Sequence, residues 1–465
     1  MTKRSHSSAL RLGASLAALT LLAGCSFIPD FKRPPAPVPE KFAGAADTAA
    51  SPLPSWREYF SDPALRALIE TALANNRDMR IALARVEEAR ALAGIARADR
   101  FPTLEGQATA NRSRTPEDLS GTGDARTSSR YDLGLGITAF ELDFWGRVAA
   151  MNEAARAQYL ASDEAAKSFR IGLIGDVAGT WLQLNELSER ERLARETLRT
   201  REESLELIRR RRDVGLATDL DALAAESLAE TVRIQWSEIR RQRMQTENAL
   251  NLLVGMAAAL PTPANVSSQP AMAELAPGLP SEVLLRRPDV RAAEQRLIAA
   301  NANIGAARAA FFPRIALTAN LGTASSELSG LFGGGSQAWL FQPVLSLPLF
   351  DAGRNQANLD VAEARKVAAI ADFEKTIQQA FREVADALAA QSAYREQLTA
   401  QLANLQAQQT RLERVKARAQ TGIANYLEVL DASREAFAAE QALVTTQRQL
   451  LGTQVALFKA LGGGE

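Results

Sequence analysis

Two stretches of the chain alternate apolar with polar or small residues. In the first, Tyr131, Leu133, Leu135, Ile137 and Ala139 alternate with Asp132, Gly134, Gly136 and Thr138. In the second, Ile315, Leu317, Ala319 and Leu321 alternate with Arg314, Thr318 and Asn320. A period of two residues places one kind of side chain on each face of a strand. We therefore expect two pairs of strands, at about 103–140 and about 314–348, which gives four strands in the chain.

The segments between the paired strands differ in composition from the strands themselves. They run from Ser113 to Ser129 and from Ala324 to Ser336, and they are rich in glycine, serine and threonine. Such a composition is typical of solvent-facing loops.

Long helix-forming stretches begin after Gly146 and Gly353, where proline is absent for more than sixty residues. Alanine, leucine, glutamate, glutamine and arginine dominate both stretches, and these residues favour helix. About 66 residues of helix make a rod about 100 Å long. A four-three spacing typical of a coiled-coil seam is formed in the second stretch by Leu398, Leu402, Leu405, Leu412 and Val415, with Gln409 in one seam position.

Each rod is predicted to end at a glycine, Gly215 or Gly422, because glycine adopts the left-handed turn beyond a helix. Capping-box patterns follow at Thr218–Asp221 and Asn425–Glu428 and predict a new helix after each turn. The chain is thus expected to form two helical hairpins. The preceding run Arg209–Arg212 fits either compensation of a helix dipole or the docking of a partner.

A helix of about thirty residues is also predicted before each pair of strands. These helices run from Pro63 to Arg100 and from Ser281 to Ala310. Phe-Pro pairs, Phe101-Pro102 and Phe312-Pro313, mark their ends, because proline disfavours helix in the residue before it.

The two halves of the chain repeat each other. Gly94-Ile95-Ala96-Arg97-Ala98 matches Gly305-Ala306-Ala307-Arg308-Ala309 at an offset of 211, and Gly215 matches Gly422 at an offset of 207. Constant offsets over long stretches indicate one structural unit written twice. The change of offset falls between Pro102 and Gly146, where the two copies differ in loop length.

The N-terminus has the features of a secretory signal. Basic residues precede the apolar stretch Leu12–Ala23, which is too short to span a bilayer. Leu22-Ala23-Gly24-Cys25 resembles a bacterial lipobox, in which cleavage between Gly24 and Cys25 precedes acylation of the cysteine. Ser26 favours sorting to the outer membrane under the same resemblance. The prolines that follow predict an extended tether.

Composition excludes several classes of function. Lys+Arg and Asp+Glu both number 54, so the chain has no excess of positive charge that would attract nucleic acid. The only histidine and the only cysteine are His6 and Cys25, so the body of the chain offers neither imidazole nor thiol for catalysis or for a zinc site. We expect no enzyme activity, no cofactor and no metal.

Four strands are too few to close a membrane barrel, and an open sheet edge cannot face lipid. The barrel must then be shared between chains. Three chains would supply twelve strands and leave a water-filled lumen, whereas two would supply eight and fill the interior with side chains. Aromatic residues at the strand ends fit either interfacial girdles or helix-to-strand packing; they are Phe101, Phe140, Phe144, Trp145, Phe311, Phe312, Trp339, Phe341 and Phe350.

The chain resembles, over nearly its whole length, the TolC-like outer-membrane efflux family and in particular its lipidated OprM/NodT-like branch. The motifs that carry the resemblance include Trp56–Pro63, Arg286–Glu294, Pro348–Arg354 and Tyr426–Ala432. The resemblance implies an α+β membrane protein, a trimer whose twelve-stranded outer-membrane β-barrel continues into a periplasmic α-helical coiled-coil barrel.

The same resemblance implies a passive conduit of a tripartite efflux pump that exports drugs, metals or other small solutes. The implied partners are a periplasmic adaptor and an inner-membrane pump, often of the RND class. The adaptor is expected to dock at the tips of the hairpins, on Val214, Gly215, Leu216, Thr218, Thr421, Gly422, Ile423 and Asn425. Some relatives carry an acidic residue near Ala424, so the resemblance transfers no gate residue to this chain.

Two other functions compete with this interpretation. A pore-free periplasmic lipoprotein would explain the rods but not the strand pairs, and a lipid-anchored hydrolase is disfavoured by the missing histidine and cysteine. Neither the exported substrate nor the partner pump can be read from the sequence.

The predicted organisation is a signal peptide (1–24), a lipid-anchored proline-rich linker (25–55), a first repeat (56–260, with its hairpin at about 147–255), a connector (261–280) and a second repeat (281–465, with its hairpin at about 353–461).

Overall fold

The computed structural model describes residues 26–42, 54–121, 123–256, 260–263, 265–266, 272 and 281–464. The predicted signal peptide, Gly24 and Cys25 lie outside the described residues, as do part of the linker and most of the connector. The chain divides into two units. Unit one comprises Met1–Pro35, Val86–Ser162 and Ala292–Phe373, and unit two comprises Ala36–Arg85, Asp163–Arg291 and Glu374–Glu465.

Eight helices and four strands are found in the described part of the chain. The elements of the first repeat are α1 (Trp56–Tyr59), α2 (Pro63–Asn75), α3 (Arg77–Ala98), β1 (Leu104–Thr115), β2 (Arg126–Glu141), α4 (Arg147–Asp213) and α5 (Asp219–Val254). Those of the second repeat are α6 (Pro288–Ala309), β3 (Arg314–Ser325), β4 (Gln337–Ser346), α7 (Arg354–Gln420) and α8 (Tyr426–Ala460). Short 3-10 turns include Glu117–Leu119, Ser281–Arg286 and Leu328–Gly330.

The four strands form one antiparallel sheet in unit one, in the order β1-β2-β3-β4. The β-hairpin formed by β1 and β2 is longer than the sequence predicts, because Ser113 pairs with Ser128 and Thr115 pairs with Arg126. The loop predicted from Ser113 to Ser129 is therefore shorter than expected at both ends. The polar side chains that suggested a loop lie instead on an exposed ladder.

Strand β2 carries an irregularity between Ile137 and Phe140, where its register with β3 shifts. Ala139 has a φ of 50° there, a left-handed conformation that is costly for a residue with a side chain. Its backbone N–H donates to Oγ1 of Thr318, 3.2 Å away. The extra residue bends the strand just before it joins the helical part of unit one.

A compact set of contacts joins strands to helices in unit one. The carboxylate of Glu141 accepts hydrogen bonds from Arg147 at 2.8 and 2.7 Å and forms an ion pair with Arg314 at 2.6 Å. The indole Nε1 of Trp145 donates to the carbonyl of Pro313 at 2.7 Å. Nearby, Asp143 accepts a hydrogen bond from the backbone N–H of Ala149 in the first turn of α4. Both strand pairs are thus tied to the start of the first rod.

The described part of the linker does not lie free as a tether. Phe27 stacks on Phe312, and the side chain of Asn301 donates to the carbonyl of Pro29 at 2.7 Å. Arg33 forms an ion pair with Glu294 at 2.6 Å. The proline content carried no information about these contacts with α6 and the residues that follow it.

The helices predicted from Pro63 to Arg100 and from Ser281 to Ala310 are not continuous. Helix α2 ends at Asn75, and Asn76 adopts an extended conformation. The side-chain amide of Asn76 donates to the carbonyl of Leu253 at 2.9 Å, and its oxygen accepts from the N–H of Met79 at 2.8 Å. The buried side chain of Asn76 thus caps the start of α3, and the chain leaves the helical conformation between α2 and α3.

The second repeat breaks at the equivalent position, Arg287, which is also buried. Its guanidinium donates to the carbonyl of Ala460 and pairs with Asp289 at 2.6 Å and Glu383 at 2.9 Å. Asn76 and Arg287 differ by 211 positions, the offset already seen in the sequence. Both repeats therefore interrupt their first helix at one structural position, with different side chains.

The largest apolar core belongs to unit two and gathers α1, α2 and parts of α4, α5 and α8. Its most buried large side chains include Trp56, Tyr59, Phe60, Trp181 and Phe458. The hydroxyl of Tyr59 donates to the carbonyl of Gln454 at 2.9 Å, which gives its buried oxygen a partner. Burial raises the pKa of Tyr59, so the phenol is neutral at physiological pH.

Across the described residues, none of the helices is both long enough and apolar enough to cross a membrane.

Candidate functional site

The two faces of the sheet differ in chemistry, as the alternation in the sequence predicts. One face carries large apolar side chains that are exposed on the single chain, and it is continuous over neighbouring strands. They include Leu133, Leu135, Leu321, Trp339 and Phe341. An exposed apolar surface of this kind is stable only against lipid or another protein.

The opposite face is polar. Arg130 forms an ion pair with Asp132 at 2.8 Å, and Thr109 on β1 lies opposite Asp132 and donates to it at 3.4 Å. Gln107 and Asn320 line the same surface. Because the polar face is covered by neither a helix nor an apolar layer within the described sheet, it suits contact with water.

Glycines allow an unusually close approach of β2 and β3 on this polar face. Gly134 and Gly322 stand directly opposite each other in the ladder. A Cβ at Gly322 would lie 2.2 Å from the carbonyl oxygen of Leu133, and one at Gly134 would lie 2.7 Å from that of Leu321. The alternation in the sequence correctly predicted these glycines on the face with polar or small residues, but it gave no sign of their steric role.

The aromatic residues at the strand ends divide between the two roles that the sequence left open. Phe312 stacks on both Trp145 and Phe27, and these rings belong to the packing between strands and helices. Trp339, Phe341 and Phe350 are exposed by 60% or more on the single chain, as side chains in an interfacial girdle would be.

The first hairpin turn joins α4 to α5 in the conformation that the sequence predicts. Gly215 has a φ of 75°, and the N–H of Leu216 donates to the carbonyl of Arg211 at 2.7 Å. Thr218 accepts from the N–H of Asp221, whose carboxylate accepts from the N–H of Thr218 at 2.9 Å. These hydrogen bonds from Thr218 lower the pKa of Asp221, which keeps the cap charged at neutral pH.

The second turn joins α7 to α8 in the same way. Gly422 has a φ of 76°, and the N–H of Ile423 donates to the carbonyl of Arg418 at 2.9 Å. Asn425 caps α8 together with Glu428, and the hydroxyl of Thr421 donates to the carbonyl of Arg418. Both turns thus have the left-handed glycine followed by a capping box.

Both turns expose apolar side chains to solvent. Val214, Leu216 and Ile423 are each 69% exposed, although valine, leucine and isoleucine usually lie in cores. A Cβ added at Gly215 or Gly422 would meet no atom within 4 Å, so the outer side of each turn is open. All eight residues predicted to form the docking tip lie in these two turns or directly beside them.

Three of the four arginines before the first turn take part in ion pairs. Arg209 pairs with Glu226 at 3.3 Å, Arg210 with Glu206 at 3.1 Å, and Arg212 with Asp213 at 2.8 Å. These ion pairs lie within α4 and between α4 and α5, and they stabilise the hairpin locally.

No group of histidine, cysteine, aspartate and glutamate in the described residues is arranged to hold a metal ion.

Comparison with known proteins places these features in a family. The profile of the outer membrane efflux protein family matches residues 68–256 and 279–463, one segment in each repeat. The solvent efflux pump outer membrane protein SrpC of Pseudomonas putida is 46% identical, over 96% of this chain and 97% of that protein. Outer membrane protein OprJ of Pseudomonas aeruginosa is 48% identical, over 98% of this chain and 96% of that protein.

Solved structures show the same fold. A membrane protein from Pseudomonas aeruginosa matches with a TM-score of 0.89 at 46% identity, over 95% of this chain and 98% of that one. CusC matches with a TM-score of 0.86 at 40% identity, over 95% and 100% of the two chains. The open state of the MtrE outer membrane channel of Neisseria gonorrhoeae matches with a TM-score of 0.85 at 37% identity, over 95% and 98%.

The four-stranded sheet, the two repeats and the long helical hairpins are therefore those of the trimeric TolC-like channels, as the sequence predicted. The chain belongs to the outer membrane efflux protein family, and it is an outer-membrane efflux channel rather than an enzyme.

Proposed function

We propose that three copies of this chain form one channel, in which β4 of each copy pairs with β1 of the next. The order β1-β2-β3-β4 leaves these two strands as the edges of the sheet, and they run in opposite directions. Antiparallel pairing between copies would satisfy both edges and close twelve strands into a barrel. The apolar face then meets lipid and the polar face lines a water-filled lumen.

This proposal rests above all on the polar face of the sheet. A pore-free scaffold has no use for Gln107, Thr109, Asp132 and Asn320 on one surface of a sheet whose other surface is apolar. A lumen does, because it must hold water and let polar solutes pass.

Conductance measurements test the proposed channel. We expect the purified full-length chain to insert into planar bilayers as a trimer and to produce steps of ion current. Mass measurement in mild detergent provides the assembly control. A folded, stable monomer, or a trimer that never conducts, would contradict the shared barrel and favour a periplasmic spacer.

We further propose that the channel serves a tripartite pump, with a periplasmic adaptor and an inner-membrane pump of the RND class. SrpC and TtgI are named as outer membrane proteins of a solvent and of a toluene efflux pump, and they share 46% identity with this chain. Small organic solutes are therefore the proposed cargo. In this proposal the inner-membrane pump supplies the energy and the channel is a passive conduit.

The adaptor is proposed to dock on the two hairpin turns. Support comes from the exposed side chains of Val214, Leu216 and Ile423, which lie beside Gly215 and Gly422. Small exposed apolar surfaces flanked by polar caps are suited to contact with another protein.

Valine at both turn glycines tests the docking proposal. Gly215→Val and Gly422→Val force a β-branched side chain into positive φ, at a cost of about 1–2 kcal/mol per site, and should deform each turn locally. We expect trimers at normal levels in the outer membrane, while efflux and adaptor cross-linking fall together. Loss of trimers would show that the glycines matter for assembly, and normal efflux in intact trimers would place docking elsewhere.

A lipid on Cys25 is the last part of the proposal. The lipobox pattern ends at the only cysteine of the chain, and the segment that follows it packs within unit one, where Phe27 stacks on Phe312 and Ile28 contacts a cluster of alanines on α4 and α6. We expect Cys25→Ser to block incorporation of labelled acyl chains and signal cleavage before residue 25. Efflux should fall less than anchoring, because a closed barrel is itself held by the membrane. Continued acyl labelling of the variant would disprove the site.

A further inference from the structure

A cavity of about 510 Å³ lies within unit two, between α4, α5 and α8. Most of its lining is apolar and includes Val232, Ile239 and Phe437, which also form one of the buried clusters of this unit. Its size falls in the range of pockets that bind small organic molecules. The residues that line it belong to none of the described strands and to neither hairpin turn.

One buried charge lines this cavity without a partner. Arg201 on α4 is only 5% exposed, and its Nε and Nη1 atoms have no hydrogen-bond acceptor. Burial is the main cause that lowers the pKa of Arg201; Tyr426 acts against it and the charge of Arg434 adds to it, and the guanidinium stays protonated at any physiological pH. A buried charge with no counter-ion is among the least favourable arrangements in a folded protein.

The other basic groups of the cavity are already neutralised. Arg190 donates to Gln441 at 2.7 Å and pairs with Glu186 at 3.1 Å. Arg434 pairs with Asp431 at 2.6 Å and with Glu435 at 3.0 Å. Among the described residues that line the cavity, Arg201 is therefore the cation that still lacks an anion.

The acidic group of the cavity does not fill this role. Glu238 on α5 lines the cavity, but its carboxylate accepts hydrogen bonds from Arg241 and Gln242. These hydrogen bonds lower the pKa of Glu238 to about 2, so it is fully ionised and already paired.

We propose that this cavity binds an amphipathic organic anion, with its carboxylate on Arg201 and its apolar body against Val232, Ile239 and Phe437. A single unpaired guanidinium matches one carboxylate, which it can bind through two parallel hydrogen bonds. The apolar lining and the volume exceed what a bare inorganic ion requires. The ligand class is thus a monocarboxylate of the size of a fused aromatic ring system or a medium-length acyl chain.

Equilibrium dialysis with 2-naphthoate tests this site, with the neutral 2-naphthamide as the matched probe. We expect the detergent-purified full-length protein to bind one naphthoate per chain and to bind the amide far more weakly. Arg201→Met should weaken naphthoate binding about tenfold to a hundredfold, the contribution of a charge-assisted hydrogen bond, and should leave the amide unaffected.

Two further variants separate binding from folding. Arg199→Met removes an exposed arginine two positions away, which pairs with Glu203, and should bind naphthoate like the wild type. Arg201→Lys should retain part of the affinity. Without ligand, Arg201→Met should melt no lower than the wild type. An apolar side chain in place of an unpaired buried charge removes the unfavourable desolvation free energy of that charge.

Three results would overturn the proposal. The first is equal binding of naphthoate and naphthamide, and the second is wild-type affinity in Arg201→Met. The third is no naphthoate binding by the intact trimer, which would mean that the assembly itself supplies the carboxylate for Arg201.

Discussion

Replacing Gly322 by alanine is expected to abolish assembly of the channel. The added Cβ would lie 2.2 Å from the carbonyl oxygen of Leu133 and 2.5 Å from the Cα of Gly134, and both are backbone atoms of the paired strand. Backbone in a hydrogen-bonded ladder cannot withdraw without losing its partners. We expect a destabilisation of about 3 kcal/mol or more, concentrated in the contact between β2 and β3.

A second glycine of the same sheet provides the control. A Cβ at Gly106 on β1 would meet only Cδ2 of Leu135 at 3.9 Å, an ordinary contact. Gly106→Ala should therefore assemble normally, while Gly322→Ala leaves little trimer in outer-membrane fractions on unheated gels. If both variants yield wild-type amounts of trimer, close approach of β2 and β3 is not required. If neither variant assembles, the sheet tolerates no added side chain at either glycine, and the effect is not specific to Gly322.

Gly255→Ala is expected to destabilise unit two strongly. Gly255 follows α5 with a φ of 78°, and an added Cβ would lie 2.4 Å from the carbonyl oxygen of Asn75. The left-handed conformation alone costs about 1–2 kcal/mol, and forced overlap in a packed region adds about 1–3 kcal/mol. We expect a clear fall in the melting temperature of the detergent-solubilised protein and faster cleavage near Asn76 by a protease.

Gly422→Ala separates the cost of the left-handed conformation from the cost of the overlap with Asn75. Gly422 has nearly the same positive φ, 76°, but a Cβ added there would meet no atom within 4 Å. This variant should show only the conformational cost and melt closer to the wild type, at the same heating rate. Equal losses in the two variants would show that the backbone conformation, rather than the contact with Asn75, determines the stability at both positions.

The sequence predicted those features that depend on nearby residues. The alternation from Tyr131 to Ala139 indicated a strand with two unlike faces, and the Gly215 and Gly422 patterns indicated the turns with their caps. Each of these signals lies within about ten residues of the element that it predicts, and local backbone preferences explain them. The count of four strands indicated a barrel shared between chains, and the family resemblance then supplied the trimer and its helical tunnel.

Features that depend on distant parts of the chain were missed. Asn76 interrupts a helix because its amide reaches Leu253, which is 177 positions away in the chain. The linker packs because Phe27 contacts Phe312, and Arg201 is buried with its Nε and Nη1 atoms unpaired. An asparagine in a helical stretch, a phenylalanine near prolines and an arginine in a charged helix are each ordinary in sequence, so only the folded chain reveals their roles.

The interrupted helices carry a consequence for the origin of the molecule. Asn76 ties the opening of the first repeat to its own end at Leu253, and Arg287 ties the opening of the second repeat to its own end at Ala460. Each half is thus closed by a bond within itself and does not borrow its counterpart's residues for this purpose. Such closure within each half is what an internal duplication produces. The equivalent positions now use different donors, a carboxamide at Asn76 and a guanidinium at Arg287, and each donates to a backbone carbonyl at the end of its own half.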